Sequence, residues 1–477
     1  MARAPHIGTI ATTALLSAAL LAPTTAAAHG IQGKAEDLPI PIRAFYWAAA
    51  IVLVVSFVVL AVGWRRPLLA DLLARRARPL TVGPVARVLL ALARATSVAL
   101  LVLVFWTASF GTTDLNENFA PIWVFVVWWI GIAVLAATIG DWWRAVHPVA
   151  VFARLLAIPS DTGRLPARWG VWPAFVLLLV FCWLELVYPT AANAHLLGAL
   201  VAAWTIGTLL AMRAWGIDPV LDRVEPFAAY TNVLGRLGIL GRDAAGRLER
   251  RPPVLGVLRQ VPTAGLAAFT GLLIGSVSYD GLSRTLWWKQ RAGDGVLRLV
   301  DRGIDPADAQ LVYGTFGLLV MVGLAVGAFI LLARVADVVG HLPRDSRFGR
   351  GAIAFAPSLI PIAIAYVVAH YFSYFWFQSQ QVIRLASDPF GSGRDLFGTA
   401  DFQTDYSTLT AEAIWVVQVA AIVVGHVIAL VLAHDRALEI EQQSEAARAV
   451  RSQWPMLALM VVYTIGGLYF LSEGLNA

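Results

Sequence analysis

The sequence predicts an all-α polytopic membrane protein, a bundle of about ten transmembrane helices, and three observations support this prediction. The 477 residues are 59% hydrophobic and only 14% charged, and the mean hydropathy is +0.71. Apolar stretches of about 20 residues recur along the chain, and each is long enough to cross the ~30 Å hydrocarbon core of a bilayer. Arginine-rich segments separate many of these stretches. Ten spans leave no room for a large soluble domain.

Residues 1–28 have the pattern of a cleaved signal peptide. An arginine precedes a short apolar stretch, and Ala26 and Ala28 fit the small-residue rule for the cleavage site. Cleavage after Ala28 leaves His29 at the start of a single transmembrane domain, 29–477. The alternative is an uncleaved membrane anchor, which the shortness of the apolar stretch disfavours.

The basic residues indicate how the spans are oriented. With the mature N-terminus outside, the cytoplasmic segments contain 25 Lys and Arg residues and the outer segments contain 9. Loops rich in Lys and Arg stay in the cytoplasm, so we predict a plasma-membrane protein with both mature termini outside. This asymmetry accounts for the net charge of +6 without a nucleic-acid partner. The spans are expected near residues 44–64, 88–110, 121–140, 171–189, 196–211, 264–279, 310–333, 352–372, 411–433 and 454–472.

Three segments between the spans are unusually long. Two are predicted to lie outside, 280–309 and 373–410, and the first has the amphipathic composition of a helix at the membrane interface. The third, 212–262, is predicted to lie inside. Its prolines, Pro219 and Pro226, and its arginines predict short helices on the surface of the cytoplasmic leaflet.

Small residues indicate where spans pack closely. Gly271 and Gly275 form a small-xxx-small pair, and Gly323 and Gly327 form another in the next span. Such pairs let two helix backbones approach each other. We therefore predict a close crossing of the sixth and seventh spans.

Two further features within the spans have alternative interpretations. Pro357 and Pro361 interrupt the eighth span, which favours a kinked packing helix over a broken helix that lines a cavity. His426 lies deep in the ninth span. An ionisable residue inside the membrane is a functional candidate, and a histidine bonded to a neighbouring helix is the equal alternative.

Three histidines are predicted on the outer side: His29, His195 and His370. A free N-terminal histidine can chelate a metal ion through its α-amine and its imidazole, and imidazole ligands favour Cu or Zn over Mg or Ca. The sequence therefore predicts a transition-metal site in which these histidines converge. The alternative is three unrelated interfacial histidines.

Two carboxylates are candidates for a catalytic role beside this site. Glu185 lies among apolar residues in the outer half of the fourth span, and Asp280 ends the sixth span. Either could orient or deprotonate a bound water. The alternative for each is an ordinary residue near a helix end. Phosphate-binding Gly-Lys-Ser/Thr, His-Glu-x-x-His and Gly-x-Ser-x-Gly motifs are absent from the sequence, which disfavours ATP-driven transport and a serine hydrolase.

Five short segments spread along the chain carry a family resemblance. They are Ala28-His29-Gly30, Asp37-Leu38-Pro39-Ile40-Pro41, Ser278-Tyr279-Asp280-Gly281, Asp388-Pro389-Phe390-Gly391 and Asp395-Leu396-Phe397-Gly398. Together they resemble the actinobacterial multi-pass membrane proteins that are usually labelled fenitrothion hydrolases. The resemblance implies cleavage of an organophosphate triester at the membrane, and it assigns no catalytic residues.

Three functions follow as hypotheses. The first is metal-assisted hydrolysis of a lipophilic ester, such as an organophosphate, at the outer face. The second is non-enzymatic handling or transport of copper, another metal or a small solute. The third is a structural role in a membrane complex. The expected partners are the lipid bilayer and either a metal ion or a lipophilic small molecule.

Overall fold

The computed structural model describes residues 41–340, 351–440 and 446–476. The predicted signal peptide, residues 1–28, and the predicted metal ligand His29 lie outside the described residues.

The described part of the chain contains nine helices that are long and apolar enough to cross a membrane, and a shorter apolar helix adds a tenth. These elements confirm the predicted all-α polytopic bundle. They are α1 (Ile42–Gly63), α3 (Pro84–Phe110), α4 (Phe119–Ile122) continuing through a π-helical segment (Trp123–Trp128) into α5 (Trp129–Ile139), α8 (Trp172–Leu186), α9 (Ala194–Trp215), α12 (Ala264–Arg284), α14 (Pro306–Gly340), a 3₁₀ helix (Gly351–Leu359) continuing into α15 (Ile360–Gln378), α17 (Ala411–Ile440) and α18 (Ala446–Asn476).

Shorter elements connect these helices. The α-helices are α2 (Leu69–Arg76), α6 (Trp143–Val146), α7 (Pro148–Leu155), α10 (Ile217–Arg223), α11 (Pro226–Leu234), α13 (Leu286–Val300) and α16 (Gln381–Ser387). The 3₁₀ turns are Ala167–Trp169, Gly235–Leu237, Leu255–Arg259 and Tyr406–Thr408. The strands are β1 (Arg78–Pro79), β2 (Leu240–Arg242) and β3 (Leu248–Arg250), and they form an antiparallel sheet in the order β1-β3-β2.

Contacts between connecting segments agree with the predicted alternation of the spans. At one end of the bundle, β1 from segment 64–83 pairs with β3 from segment 216–263. We call this the sheet end. At the other end, which we call the loop end, the Thr112 N–H donates to the Phe390 carbonyl at 2.9 Å and joins segments 111–118 and 379–410. Which end faces the cytoplasm stays a prediction from the arginine count.

The helices differ in how deeply they are buried. In the most apolar part of α12, 89% of the residues are buried, and the value is 78% for the helix that includes α15. The corresponding values are 6% for α3 and 22% for α9. Because lipid solvates apolar side chains, such exposed helices are stable at the edge of a membrane bundle. The core therefore lies around α12 and α15, and α3 and α9 lie at the periphery.

The predicted close crossing of the sixth and seventh spans is confirmed on one side only. A Cβ atom added to Gly271 would lie 2.5 Å from Val326 Cγ2, and one added to Gly275 would lie 2.6 Å from Val322 Cα. These glycines therefore let α12 approach α14. The prediction for Gly323 and Gly327 is wrong, because an added Cβ there would meet no described atom within 4 Å.

Segment 212–262 differs from the predicted surface location. In α11 (Pro226–Leu234) every residue except Asn232 is buried, and the Tyr230 ring stacks on Trp129 at 5.0 Å between centroids. A helix that is apolar all round has no face suited to water and is buried. The segment therefore inserts α11 between the spans, although it connects two helices at the sheet end.

The predicted interruption of the eighth span is a change of helix type. The 3₁₀ helix contains Pro357 and ends where α15 begins, with Pro361 in the first turn of α15. Proline fits the first turn because an N–H there has no intrahelical acceptor. A Cβ added to Gly425 of α17 would lie 2.9 Å from the Pro361 carbonyl oxygen. This close contact favours the interpretation as a packing helix.

Candidate functional site

Two of the predicted site residues meet near the loop end and form what we call the ionic cluster. Asp280 Oδ2 lies 2.8 Å from His370 Nε2. The other oxygen, Asp280 Oδ1, accepts from Arg284 Nη2 at 3.0 Å and from Arg284 Nε at 3.2 Å. Asp280 and Arg284 are four residues apart on α12, so they share one face of the helix. His370 approaches that face from α15.

Glu185 lies close to this cluster, on α8. Glu185, Ser276 and Tyr371 line a small cavity of about 10 Å³, which has room for about one water molecule. Three of the five predicted site residues, Glu185, Asp280 and His370, are therefore neighbours.

The ionic cluster is suited to acid–base chemistry. A carboxylate that binds an imidazole orients the ring and stabilises its protonated form, and Arg284 balances part of the negative charge. The side chains of Asp280 and His370 are only 5% and 10% exposed. Ionisable groups inside a membrane protein pair with one another and mark substrate, ion or proton pathways.

The predicted three-histidine metal site is not assembled in the described part of the chain. His195 is exposed near the start of α9, and His29 lies outside the described residues. Among residues 41–340, 351–440 and 446–476, no group of three or more His, Cys, Asp or Glu side chains is placed to hold a metal ion. A site that includes His29 stays a prediction.

The other intramembrane candidate, His426, is fully buried on α17. Its Nδ1 lies 2.8 Å from the carbonyl oxygen of Ile422 in the same helix. Its Nε2 has no hydrogen-bond partner among the described residues. The alternative of a histidine bonded to a neighbouring helix is therefore not met among the described residues, and the functional interpretation stays open.

The bundle contains a cavity of about 730 Å³ that opens at its surface, and the sequence patterns do not predict it. We call it the intramembrane cavity. Its walls come from α3, the π-helical segment, residues 142–148, α8, α9, α10 and the start of α11. Most lining residues are aliphatic or aromatic, and Glu225 is the one charged residue among them. The uncharged polar residues in the lining, apart from tryptophans, are Thr96, Ser97 and Thr208.

The π-helical segment places several large side chains in the lining. Trp123, Val124, Phe125 and Trp128 all belong to it and all contact the cavity. A π-turn widens the helix by one residue, and such turns are frequent at functional sites. Trp128 and Trp129, in the middle of this span, have different roles. Trp128 lines the cavity, and Trp129 stacks on Tyr230 of α11.

Glu225 fixes the wall of the cavity at the sheet end. Its carboxylate caps α11 by accepting the N–H groups of Phe227 at 3.3 Å and Ala228 at 2.5 Å. It also accepts the indole N–H of Trp204 at 2.9 Å and lies 3.4 Å from His147 Nε2. A carboxylate at a helix N-terminus satisfies N–H groups that have no acceptor within the helix. Glu225 therefore holds α11, α9 and His147 together.

Aromatic rings pack tightly around this wall. Trp128 lies 4.4 Å from Phe227 and 5.5 Å from Trp143, both between ring centroids. Trp143 lies 5.1 Å from the His147 ring. Edge-to-face and tilted contacts at these distances favour a defined arrangement of the rings at this wall of the cavity.

Comparison with known proteins gives no relative: no family model, no curated protein and no solved structure matches this chain. The resemblance to the fenitrothion hydrolases therefore stays a prediction.

Proposed function

We propose that this integral membrane protein takes up a lipophilic molecule from the bilayer and holds it in the intramembrane cavity, as a carrier or transporter does. The observation that supports this proposal is the cavity itself. Its volume of about 730 Å³ lies within the roughly 300–1,000 Å³ typical of small-molecule sites. Its apolar lining with few polar groups is the composition that such sites have.

The location of the cavity also supports uptake from the membrane. Its walls include α3 and α9, the most exposed of the spanning helices compared above. Leu177 and Val180 on α8 line the cavity and are 45% and 49% exposed. A molecule dissolved in the lipid could therefore reach the cavity without crossing water.

Filling the cavity tests the proposal. Gly207 lines it, and a Cβ atom added there would meet no described atom within 4 Å. Gly207→Trp therefore places a large side chain in the cavity from a position whose Cβ meets open space, and Gly323→Trp is the matched control because Gly323 is equally open but does not line the cavity. Membranes containing each protein are irradiated with an alkyl diazirine probe, and the labelled peptides are identified.

We expect labelling of cavity residues such as Leu200 in the wild type and the control, and strong loss of that labelling in Gly207→Trp. Labelling of Val338, an exposed residue far along α14, should stay constant in all three proteins. Equal labelling of Leu200 in wild type and Gly207→Trp would contradict the proposal.

The ionic cluster favours a second candidate function, hydrolysis of a lipophilic ester at the loop end. In this reaction His370, oriented by Asp280, would take a proton from water, and the water oxygen would attack phosphorus as the P–O bond to the leaving group breaks. Glu185 lies beside the cluster, but neither Asp280 nor His370 lines the intramembrane cavity. A substrate would therefore reach these residues by another route.

A chromogenic phosphotriester tests this second function. Purified wild-type protein should release the phenol, and His370→Gln should lose this activity because Gln cannot accept the proton. Turnover that is unchanged by His370→Gln, or no turnover by the wild type with or without added Zn or Cu, would contradict hydrolysis at this cluster.

A further inference from the structure

The three-stranded sheet carries arginines on one of its faces. Residues directly opposite each other on paired strands have their side chains on the same face, and successive residues alternate between the two faces. Arg78 of β1 lies opposite Arg250 of β3, and Arg250 lies opposite Leu240 of β2. Arg242, two residues after Leu240, is on the same side. We call this side the arginine face (Arg78, Arg242 and Arg250), and all three arginines are exposed.

The other face of the sheet packs against the protein. Glu249 of β3 is only 4% exposed and pairs with Arg259. Gly241 of β2 lies against the guanidinium group of Arg251, which is itself buried. The arginine face is therefore the side of the sheet that points away from the bundle.

The positive charge of the arginine face is not balanced within the sheet. Arg78 and Arg250 are directly opposite each other, and like charges in this position destabilise a sheet. The hairpin of β2 and β3 contains two carboxylates. Glu249 is on the other face, and Asp243 pairs with Arg247. The three described strands place no carboxylate on the arginine face, so an anion bound there would offset the repulsion.

More exposed arginines adjoin the sheet, just before β1 in the chain. Segment 64–83 contains five arginines and a single acidic residue, Asp71. Arg75 and Arg76 lie in the last turn of α2 and are exposed. Clusters of basic residues beside a membrane attract anionic lipid head groups. The end of α2 therefore extends the positive surface of the arginine face.

Exposed apolar side chains place the arginine face next to lipid. Leu80, two residues after Arg78, is 41% exposed, and Val82 is 44% exposed. Helix α3 begins at Pro84, and Val85 in its first turn is 73% exposed. Exposed apolar helices of a membrane bundle face the hydrocarbon, and four residues of chain span at most roughly 14 Å. The arginine face therefore lies close to the level of the lipid head groups.

We infer that the arginine face, together with the end of α2, binds the head groups of anionic phospholipids, and that Arg78 and Arg250 bracket one phosphate. Guanidinium groups donate in pairs to phosphate oxygens. The exposed leucine and valine beside a lipid-facing helix favour a lipid over a free phosphate ion, which would use the charge and leave these side chains in water. This surface is separate from the intramembrane cavity, whose lining contains no arginine.

Native mass spectrometry of the full chain in detergent tests this assignment with two lipids that have the same acyl chains. Dioleoylphosphatidylglycerol has a net negative charge, and in dioleoylphosphatidylcholine a cation balances the phosphate. We expect the wild type to bind the phosphatidylglycerol about tenfold more tightly, because each arginine near an anionic head group adds to the affinity. An excess of inorganic phosphate should not displace this lipid, because the ion has no apolar part.

The variant Arg78→Gln/Arg250→Gln removes the opposed pair. It should bind phosphatidylglycerol about as weakly as phosphatidylcholine. Arg164→Gln/Arg168→Gln is the matched control, because it removes the same charge from two exposed positions between α7 and α8, outside the sheet. The control should keep the preference of the wild type. The comparison of the two lipids on the wild type does not depend on the folding of any variant.

Equal affinity of the wild type for the two lipids would overturn the proposal. An equal loss of preference in both double variants would also overturn it, since net charge alone would then attract the lipid. A preference that survives Arg78→Gln/Arg250→Gln would place the lipid elsewhere, for example in the intramembrane cavity. Displacement of the lipid by inorganic phosphate would assign the arginine face to a free anion instead.

Discussion

The two halves of the bundle contain, respectively, the most and the least buried of the nine long apolar helices described. One half, which we call the packed half, contains α12, α14, α15, α17 and α18, and its central helix α12 is 89% buried in its most apolar part. The other, the cavity half, contains α3, α4, α5, α8, α9 and α11, and its helix α3 is 6% buried. The packed half contributes Asp280, Arg284 and His370 of the ionic cluster. The cavity half surrounds about 730 Å³ of space.

This difference teaches where each kind of chemistry can exist in a membrane. Charged groups are stable there only when partners replace water, as Arg284 and His370 do for Asp280. A lipophilic ligand needs space next to lipid, which loosely packed peripheral helices provide. The contrast between the halves therefore supports two separate sites, and the following substitutions test it.

The largest effect is expected at the centre of the ionic cluster. Asp280→Ala leaves Arg284 and His370 without the carboxylate that joins them, and breaking a buried ion pair in this way costs about 3–5 kcal/mol. We expect a large fall in the free energy of unfolding, measured by denaturant titration of the protein in detergent micelles.

Asp401→Ala is the control, because Asp401 is exposed in segment 379–410 at the loop end. It should change stability by less than about 0.5 kcal/mol. Similar stabilities for Asp280→Ala and Asp401→Ala would mean that the ionic cluster does not stabilise the packed half.

A large-to-small substitution should cost more in the packed half than at the intramembrane cavity. Leu272 is fully buried in α12, so Leu272→Ala creates a new void and should cost about 2 kcal/mol or more. Leu200→Ala only enlarges a space that already exists, and its cost should be smaller. Thermal unfolding of the two variants in the same detergent measures the difference, and equal shifts would contradict the proposed contrast in packing.

Gly275 on α12 and Gly323 on α14 provide a matched pair of substitutions with a smaller expected effect. Gly275→Ala places a Cβ atom 2.6 Å from the backbone of α14, and overpacking of this kind costs about 1–3 kcal/mol. Gly323→Ala meets no described atom within 4 Å, so the better helix propensity of alanine should leave stability equal or slightly higher. Destabilisation of both variants to the same extent would argue against the crossing as described.

The smallest effect concerns the segment that links the two halves at the loop end. Burial by itself would raise the pKa of Asp388, but the N–H groups of Ser392, Gly393 and Arg394 donate to its carboxylate and lower the pKa overall. A group with a lowered pKa in the folded state stabilises at a pH above its usual value of about 3.9, and this stabilisation is lost as the pH falls through the lowered pKa.

We therefore expect pepsin to cut the segment around Asp388 faster as the pH falls from about 4 to 2, after correction for the activity of pepsin on a peptide standard. At about pH 4, pepsin should cut Asp388→Asn as fast as it cuts the wild type at about pH 2. A corrected rate for the wild type that does not depend on pH would rule out this role of Asp388.

Much of the fold could be predicted from the sequence, because the bilayer imposes a length and a polarity on every span. The ten spans and the role of Gly271 and Gly275 were predicted from local sequence patterns. The nearness of Asp280 to His370 was predicted from their placement on the same side of the membrane. Arg284 was missed, although its spacing of four residues from Asp280 on a helix is a recognisable signal of an ion pair.

The intramembrane cavity could not be predicted in the same way. Leucine, valine and tryptophan line it, and the same residue types fill the packed core, so composition does not distinguish a lining residue from a packing residue. The buried position of α11 was missed because a long segment rich in arginine resembles a surface loop. Its short apolar sequence, Pro226–Leu234, was the signal for insertion.

The central claim, a lipophilic ligand in the intramembrane cavity, is tested most directly by electron cryomicroscopy of the full chain in lipid nanodiscs. The proposal predicts elongated non-protein density between α3, α8 and α9. Closure of α3 onto α9 with no space left between them, or a space that contains only disordered lipid, would contradict it.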